Sequence, residues 1–229
     1  MYIGHYNKVM NNLLYIKPFL KFESDDHFYY LQILKRRKEN PDLANNARVV
    51  KTYFVSSMEY LEENMGEIEV LCNYHNARAY INLNRRSFEK VARNTLRKIT
   101  DQVVMNEDYR SVRKSYTTVC GGVQEDADNQ RYGGVLAEAK SERKWVVDVD
   151  TKLQDELNCI MEIIHRCDSE FGTDKILGKI PTKHGYHLIT KSFNLQQFRL
   201  LCKQYMVDGK ITEVPDVQKN NPTILYMQL

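Results

Sequence analysis

The chain has 229 residues and a mass of 27.0 kDa, which fits one compact domain or two small lobes. A hydrophobic fraction of 42% and only five prolines exclude a disordered chain, and a net charge of +3 is too small to indicate nucleic acid by itself. No apolar run could cross a bilayer, and the N-terminal residues do not resemble a secretory signal. We therefore expect a soluble, cytoplasmic protein with no membrane partner.

The cysteines and the charge distribution bear on metal binding, disulfide bonds and phosphate-binding surfaces. Five cysteines without a CxxC pair argue against a zinc module or a disulfide framework and predict a reducing compartment. Cationic residues are concentrated between Arg78 and Thr100, where Glu89 is the only acid. Such a stretch is either a solvated surface or a phosphate-binding one.

Residues 1–115 predict an N-terminal α/β lobe. Hydrophobic periodicity and turn residues predict a helix at 6–19, strands at 28–34 and 49–55, a helix at 57–65, a strand at 77–83 and a basic helix from 87 to about 104. Ser87 is the expected N-cap of the basic helix. This helix is either a template-binding surface or an ordinary amphipathic helix with Phe88, Val91 and Leu96 directed inward.

Residues 116–140 predict a mobile loop. Two glycine pairs, Gly121-Gly122 and Gly133-Gly134, flank a polar, acidic stretch without hydrophobic periodicity. Neither pair has the spacing of a P-loop or of a dinucleotide-binding fingerprint.

Residues 141–229 predict a second unit with alternating elements. The pattern predicts a strand at 145–150, a helix from a capping box at Thr151 and Gln154, strands at 176–181 and 186–190, a helix at 195–206, and strands at 211–217 and 223–227. The order β-α-β-β-α-β, with one further strand, is that of the split βαβ plan. We therefore predict an α+β fold in which an RRM-like split βαβ core packs with the N-terminal lobe.

The first candidate functional pattern is the acidic pair in the segment WVVDVD. Asp148 and Asp150 are two residues apart on a predicted strand, so both carboxylates project to one face. Two adjacent carboxylates repel each other unless a cation lies between them, and Mg²⁺ or Mn²⁺ prefers oxygen ligands. The structural alternative is that Asp150 only caps the helix that follows.

The second candidate pattern is the turn that joins the strands at 176–181 and 186–190. Thr182, Lys183, the glycine turn at Gly185 and His187 are all donors suited to an anion. The alternative is a β-hairpin with incidental histidines. A third candidate acid is Asp216, which ends a late predicted strand. Asp208 and Glu213 are alternative candidates for this third acidic residue.

These three patterns, in this order, resemble the catalytic core of the archaeo-eukaryotic primase superfamily. The resemblance rests on Trp145 to Asp150, on Thr182 to Ile189 and on Asp216 to Asn220 before the last strand, and covers about residues 145–229. It implies a nucleotidyltransferase that makes or extends primers on single-stranded DNA during DNA replication. The small size, without an appended module, fits a phage or mobile-element protein that works with a separate helicase.

The resemblance also implies roles for individual residues. Asp148, Asp150 and Asp216 would be the catalytic acids that hold two Mg²⁺ or Mn²⁺ ions, and Thr182, Lys183 and His187 would bind the nucleoside triphosphate. The predicted contacts to the nucleic-acid template are Arg78, Arg85, Arg86 and Arg93. The sequence departs from the family where Asp150 leads directly into a helix. Two alternatives stay open: a metal-dependent nuclease that uses the same acids, and a catalytically inactive nucleic-acid-binding module with the same fold.

Overall fold

The computed structural model describes residues 9–101, 143–172, 174–220 and 222–229. The chain is α+β with antiparallel sheets, as the sequence predicts. The predicted loop at 116–140 lies outside the described residues. Within the described ranges, no helix has both the length and the apolar character needed to span a membrane.

The described elements form two sheets and five α-helices. In chain order they are β1 (Val9–Asn11), α1 (Leu13–Ile16), a 3₁₀ turn (Lys17–Phe19), β2 (His27–Arg36), β3 (Ala47–Val55), α2 (Met58–His75), β4 (Arg78–Ile81), β5 (Arg86–Ser87), α3 (Phe88–Ile99), β6 (Trp145–Val149), α4 (Gln154–Arg166), β7 (Ile176–Pro181), β8 (Tyr186–Thr190), α5 (Leu195–Val207), β9 (Asp216–Gln218) and β10 (Thr223–Gln228).

The larger sheet has the strand order β1-β10-β4-β2-β3, and β5 pairs with β2. Helix α2 packs against it through Leu61, Met65, Ile68 and Cys72, which recur at spacings of three and four and are buried. Its N-terminus is capped by Ser57, whose hydroxyl accepts a hydrogen bond from the Tyr60 N–H at 3.0 Å.

The smaller sheet has the order β7-β8-β6-β9, and each neighbouring pair is antiparallel. One face, with Val147, Val149 and Leu188, forms a core with α4 and α5. The other face contributes Val146 and Ile189 to the core of the larger sheet. Strand β6 is therefore enclosed on both faces, which explains its β-branched residues.

The structure corrects several predicted elements. Residues 9–11 form a strand instead of part of a helix, because they pair with β10 along the edge of the larger sheet. The strand predicted at 211–217 is reduced to Asp216–Gln218. The predicted capping box is also wrong: α4 has Leu153 at its N-cap with no side-chain capping bond, and the Thr151 hydroxyl instead accepts a hydrogen bond from the Leu153 N–H at 3.2 Å.

The last strand of the chain returns to the larger sheet. β10 lies between β1 and β4, and its central residues Ile224, Leu225, Tyr226 and Met227 are buried. The chain after residue 141 therefore supplies strands to both sheets. The predicted division into units at 1–115 and 141–229 stays a prediction.

Candidate functional site

A row of polar side chains crosses the smaller sheet on the face that meets the larger one. Asp148 of β6 lies directly opposite His187 of β8 on one side and opposite Asp216 of β9 on the other. Directly paired residues of antiparallel strands project to the same face. Of the three acids that compete for the third role, Asp216 is thus the neighbour of Asp148, whereas Asp208 ends α5 and lies 3.8 Å from Lys210.

A cleft of about 200 Å³ lies beside this row, between the two sheets. Its lining from the smaller sheet and adjoining turns is Asp148, Asp150, Thr182, Lys183, His184 and His187. Its lining from the larger sheet and the turn after β2 is Arg36, Lys38, Arg78, Tyr80 and Ile224. The cleft thus brings together five of the predicted catalytic and nucleotide-binding residues and sets carboxylates on one wall opposite cations on the other.

Asp216 stands apart from that lining. Its side chain is exposed, and its carboxylate accepts a hydrogen bond from the Gln218 amide at 2.9 Å. The backbone register places Asp216 beside Asp148, but its carboxylate is turned along β9.

His187 stabilises the ionised form of Asp148. The His187 Nε2 lies 3.4 Å from the Asp148 Oδ1. The hydrogen bond from His187 lowers the pKa of Asp148; burial acts in the opposite direction, and the charges of His187 and Arg36 lower it further. Asp148 is therefore ionised at neutral pH.

His187 also connects the two sheets. Its Nδ1 lies 2.8 Å from the hydroxyl of Thr223, a fully buried residue at the start of β10. Because Nε2 faces a carboxylate, we assign a proton to Nε2. No sequence pattern marks Thr223, since only the return of β10 to the larger sheet brings it to the histidine.

The turn after β7 is fixed to the end of β6 by a glycine. The Gly185 N–H donates to the Thr182 hydroxyl at 3.0 Å, and the Thr182 N–H donates to the Gly185 carbonyl at 2.8 Å. A Cβ at Gly185 would lie 1.9 Å from the Val149 carbonyl oxygen and 2.7 Å from the Thr151 nitrogen. Thr182 therefore holds the turn together, and Lys183 and His184 lie exposed at its tip.

Asp148 and Asp150 are two carboxylates of the cleft that could hold a divalent cation. Among the residues that the structure describes, no group of three His, Cys, Asp or Glu side chains is close enough to hold a metal ion. Asp148 and Asp150 nevertheless line one cleft. Mg²⁺ is often bound by one or two carboxylates together with substrate phosphates. The donor set fits a cation that the protein shares with a phosphate-bearing ligand.

Two of the four predicted nucleic-acid contacts are wrong. Arg86 is fully buried and donates to the Asn220 side-chain oxygen at 3.2 Å, and Arg85 is 4% exposed and lies 2.7 Å from Glu23. Buried guanidinium groups cannot reach a nucleic-acid backbone. Arg93 is exposed on α3 beside Glu89, and Arg78 lines the cleft and pairs with Glu39; for these two, template contact stays a prediction.

The buried arginine belongs instead to a polar cluster that positions the site strand. Asn84 donates to the Lys144 carbonyl at 2.9 Å and accepts from the Lys144 N–H at 2.7 Å, directly before β6. Asn82 donates to the Asn220 carbonyl at 2.7 Å, just after β9. The cluster therefore fixes the ends of β6 and β9 that lie away from Asp150. Its only sequence signal is the run of asparagines and arginines at 82–86.

Neither the protein-family models, nor the curated proteins, nor the solved structures contain a significant match to the chain. The geometry described above is therefore the basis for a functional proposal.

Proposed function

We propose that the protein is a metal-dependent nucleotidyltransferase that makes or extends primers on single-stranded DNA, like members of the archaeo-eukaryotic primase superfamily. The observation that carries the proposal is the cleft between the sheets, where Asp148 and Asp150 face Arg36, Lys38 and Arg78. A metal–triphosphate complex suits a cleft with charges of both signs, because it carries a cation that carboxylates can bind and a phosphate chain of opposite charge.

The arrangement of the smaller sheet supports the same proposal. Its element order β6-α4-β7-β8-α5-β9 and strand order β7-β8-β6-β9, with both helices against one face, agree with a split βαβ, RRM-like core. The acids at 148 and 150 and the turn at 182–185 lie at one end of this sheet, as the resemblance requires.

The proposed roles follow from the positions of the side chains. Asp148 and Asp150 bind the cation, and Asp216 joins them if its carboxylate turns from Gln218 toward its neighbour Asp148. Lys183 holds phosphate oxygens, and Thr182 keeps its turn closed. His187 joins Lys183 if its Nε2 turns from Asp148 to the ligand. Mg²⁺ or Mn²⁺, when bound, supplies Lewis-acid activation of the primer hydroxyl and neutralises the departing pyrophosphate.

The test is primer synthesis and extension on single-stranded DNA with labelled nucleoside triphosphates and Mn²⁺. Asp148→Asn keeps the shape of the side chain but removes its charge, so product should fall by at least about a hundredfold. The matched control is Asp208→Asn, an exposed acid at the end of α5 outside the cleft, which should retain wild-type activity.

Other results would replace the proposal with one of its alternatives. A shortened template without product would identify a nuclease. Binding of DNA without any chemistry would identify an inactive binding module. Equal product from the wild type and Asp148→Asn would remove the acidic pair from the mechanism.

A further inference from the structure

The larger sheet and the turn after β2 supply a cationic wall of the cleft, formed by Arg36, Lys38 and Arg78. Arg36 ends β2, Lys38 follows it in the next turn, and Arg78 begins β4. Arg78 lies directly opposite Leu34, and Arg36 is two residues further along β2. The two arginines therefore share one face of the sheet, and both line the cleft.

These three cations are not equivalent. Arg78 is largely buried and forms an ion pair with Glu39, so its charge is already balanced. Arg36 donates from Nη1 to the Tyr80 hydroxyl at 2.9 Å, which engages one of its five N–H donors with a neutral partner. Lys38 is exposed. In the described part of the chain, neither Arg36 nor Lys38 forms an ion pair within 4.0 Å, so their charge remains available to a ligand.

We propose that Arg36 and Lys38 bind the phosphate chain of a nucleoside triphosphate, opposite Lys183 on the other wall of the cleft. This inference rests on the proposed function and assigns the larger sheet a direct part in it. The planar guanidinium of Arg36 suits two oxygens of one phosphate, and Lys38 acts as a point charge. The two sheets thus hold one ligand between them.

The size of the cleft favours a triphosphate over a polynucleotide. A volume of about 200 Å³ is below the roughly 300–1,000 Å³ of pockets that enclose a whole drug-sized ligand. It accommodates a phosphate chain while the sugar and base remain outside. A single-stranded polynucleotide instead needs a groove along which several phosphates follow one another.

The test measures binding of inorganic tripolyphosphate by calorimetry in the absence of divalent metal, so that it is independent of activity. Arg36→Gln should weaken binding by about tenfold or more, since a charge-assisted hydrogen bond is lost. Lys38→Gln should weaken it several-fold, and more at low salt than at high salt. The matched control is Arg37→Gln, which removes the charge of the exposed residue between them that does not line the cleft.

Two results would overturn the inference that Arg36 and Lys38 bind the phosphate chain. Equal affinity of the wild type, Arg36→Gln and Lys38→Gln for tripolyphosphate would overturn the inference. The inference would also be overturned if a single-stranded oligonucleotide displaced tripolyphosphate and its own binding required Arg36. The cationic wall would then bind a polynucleotide backbone. Arg36→Gln also loses the hydrogen bond to Tyr80, so its melting curve is compared with that of the wild type to check that it folds. Lys38 is exposed, so Lys38→Gln tests the site without disturbing the fold.

The same measurements separate this inference from the proposed function. Tripolyphosphate binding that depends on Arg36 and Lys38, in a protein without primer extension, would retain the phosphate site and reject the polymerase. If primer extension required Asp148 but Arg36→Gln and Lys38→Gln left the affinity for tripolyphosphate unchanged, the proposed phosphate site would be wrong and the proposed polymerase activity would stand.

Discussion

At the scale of single residues, the environment of Asp148 determines what its carboxylate can do. Burial between two sheets alone would raise the pKa of Asp148, but the hydrogen bond from His187 lowers it. The same imidazole contacts Thr223 in the other sheet. His187 therefore stabilises the negative charge of the Asp148 carboxylate in a partly buried position.

The first prediction concerns the pKa of Asp148 in His187→Ala. In metal-free protein, this substitution removes the main cause of the lowered pKa while burial remains, so the pKa of Asp148 should rise. Carbon-detected NMR titration of the carboxyl group measures it. His184→Ala, in the exposed turn, should leave that pKa unchanged.

The same shift has a consequence for stability. A carboxyl whose pKa is lower in the folded than in the unfolded chain stabilises the fold above the unfolded value of about 3.9. That stabilisation is lost as the pH falls through the folded pKa. The wild type should therefore lose more stability than His187→Ala between pH 5 and strongly acidic conditions; identical acid-unfolding curves would contradict this.

At the scale of elements, the turn between β7 and β8 depends on close backbone contact with the end of β6. Gly185 has no positive φ, so its glycine is needed for space and not for backbone conformation. The atoms that a Cβ would meet are backbone atoms of Val149 and Thr151, which cannot rotate away. The contact places Lys183 and His187 next to Asp148 and Asp150.

The second prediction compares alanine substitutions at two glycines. Gly185→Ala should lower the free energy of unfolding by about 1–3 kcal/mol or more, because the added methyl group forces backbone apart. Gly66→Ala, inside α2 with no atom near the added Cβ, should instead raise it by roughly 0.5–1 kcal/mol through helix propensity. Denaturant melts measure both, and a neutral Gly185→Ala would show that the turn can shift.

At the scale of the whole molecule, the two sheets are joined by specific contacts on both sides of the cleft. Asn12 is 1% exposed and donates to the Pro181 carbonyl at 2.9 Å and to the Ile224 carbonyl at 3.0 Å, so it links β7 with β10. Val146, Ile180 and Ile189 of the smaller sheet belong to the core of the larger one. We therefore expect the two sheets to unfold together.

The third prediction uses the single tryptophan, Trp145 of β6, as a probe of the smaller sheet. Unfolding followed by its fluorescence and by far-ultraviolet circular dichroism should give one coincident transition. Asn12→Ala should shift both transitions together and lower the free energy of unfolding by about 1–3 kcal/mol, because two buried carbonyls lose their hydrogen-bond donor. The exposed neighbour Asn11, changed to Ala, should cost less. Two separate transitions would show that the sheets fold independently.

Much of the local structure was predictable because periodicity reports which face of an element is buried. The strands at 176–181 and 186–190 and the start of the helix at 195 agree with the structure. Ser87 caps α3 as predicted, with its hydroxyl accepting from the Lys90 N–H at 3.1 Å. Residues 9–11 were mispredicted because their strand exists only through pairing with the last strand of the chain.

The α+β class and the acidic pair at Asp148 and Asp150 can be predicted from the chain alone, because alternation on a strand and β-branched neighbours are local properties. Which cations face that pair depends on how distant parts of the chain pack together. Arg85 and Arg86 of the basic stretch are buried, where they bind Glu23 in the loop before β2 and Asn220 just after β9. Arg36 and Lys38, more than 100 residues earlier in the chain than Asp148, line the cleft instead. A sequence shows which residues are charged, but burial and the pairing of distant strands determine where each charge is exposed.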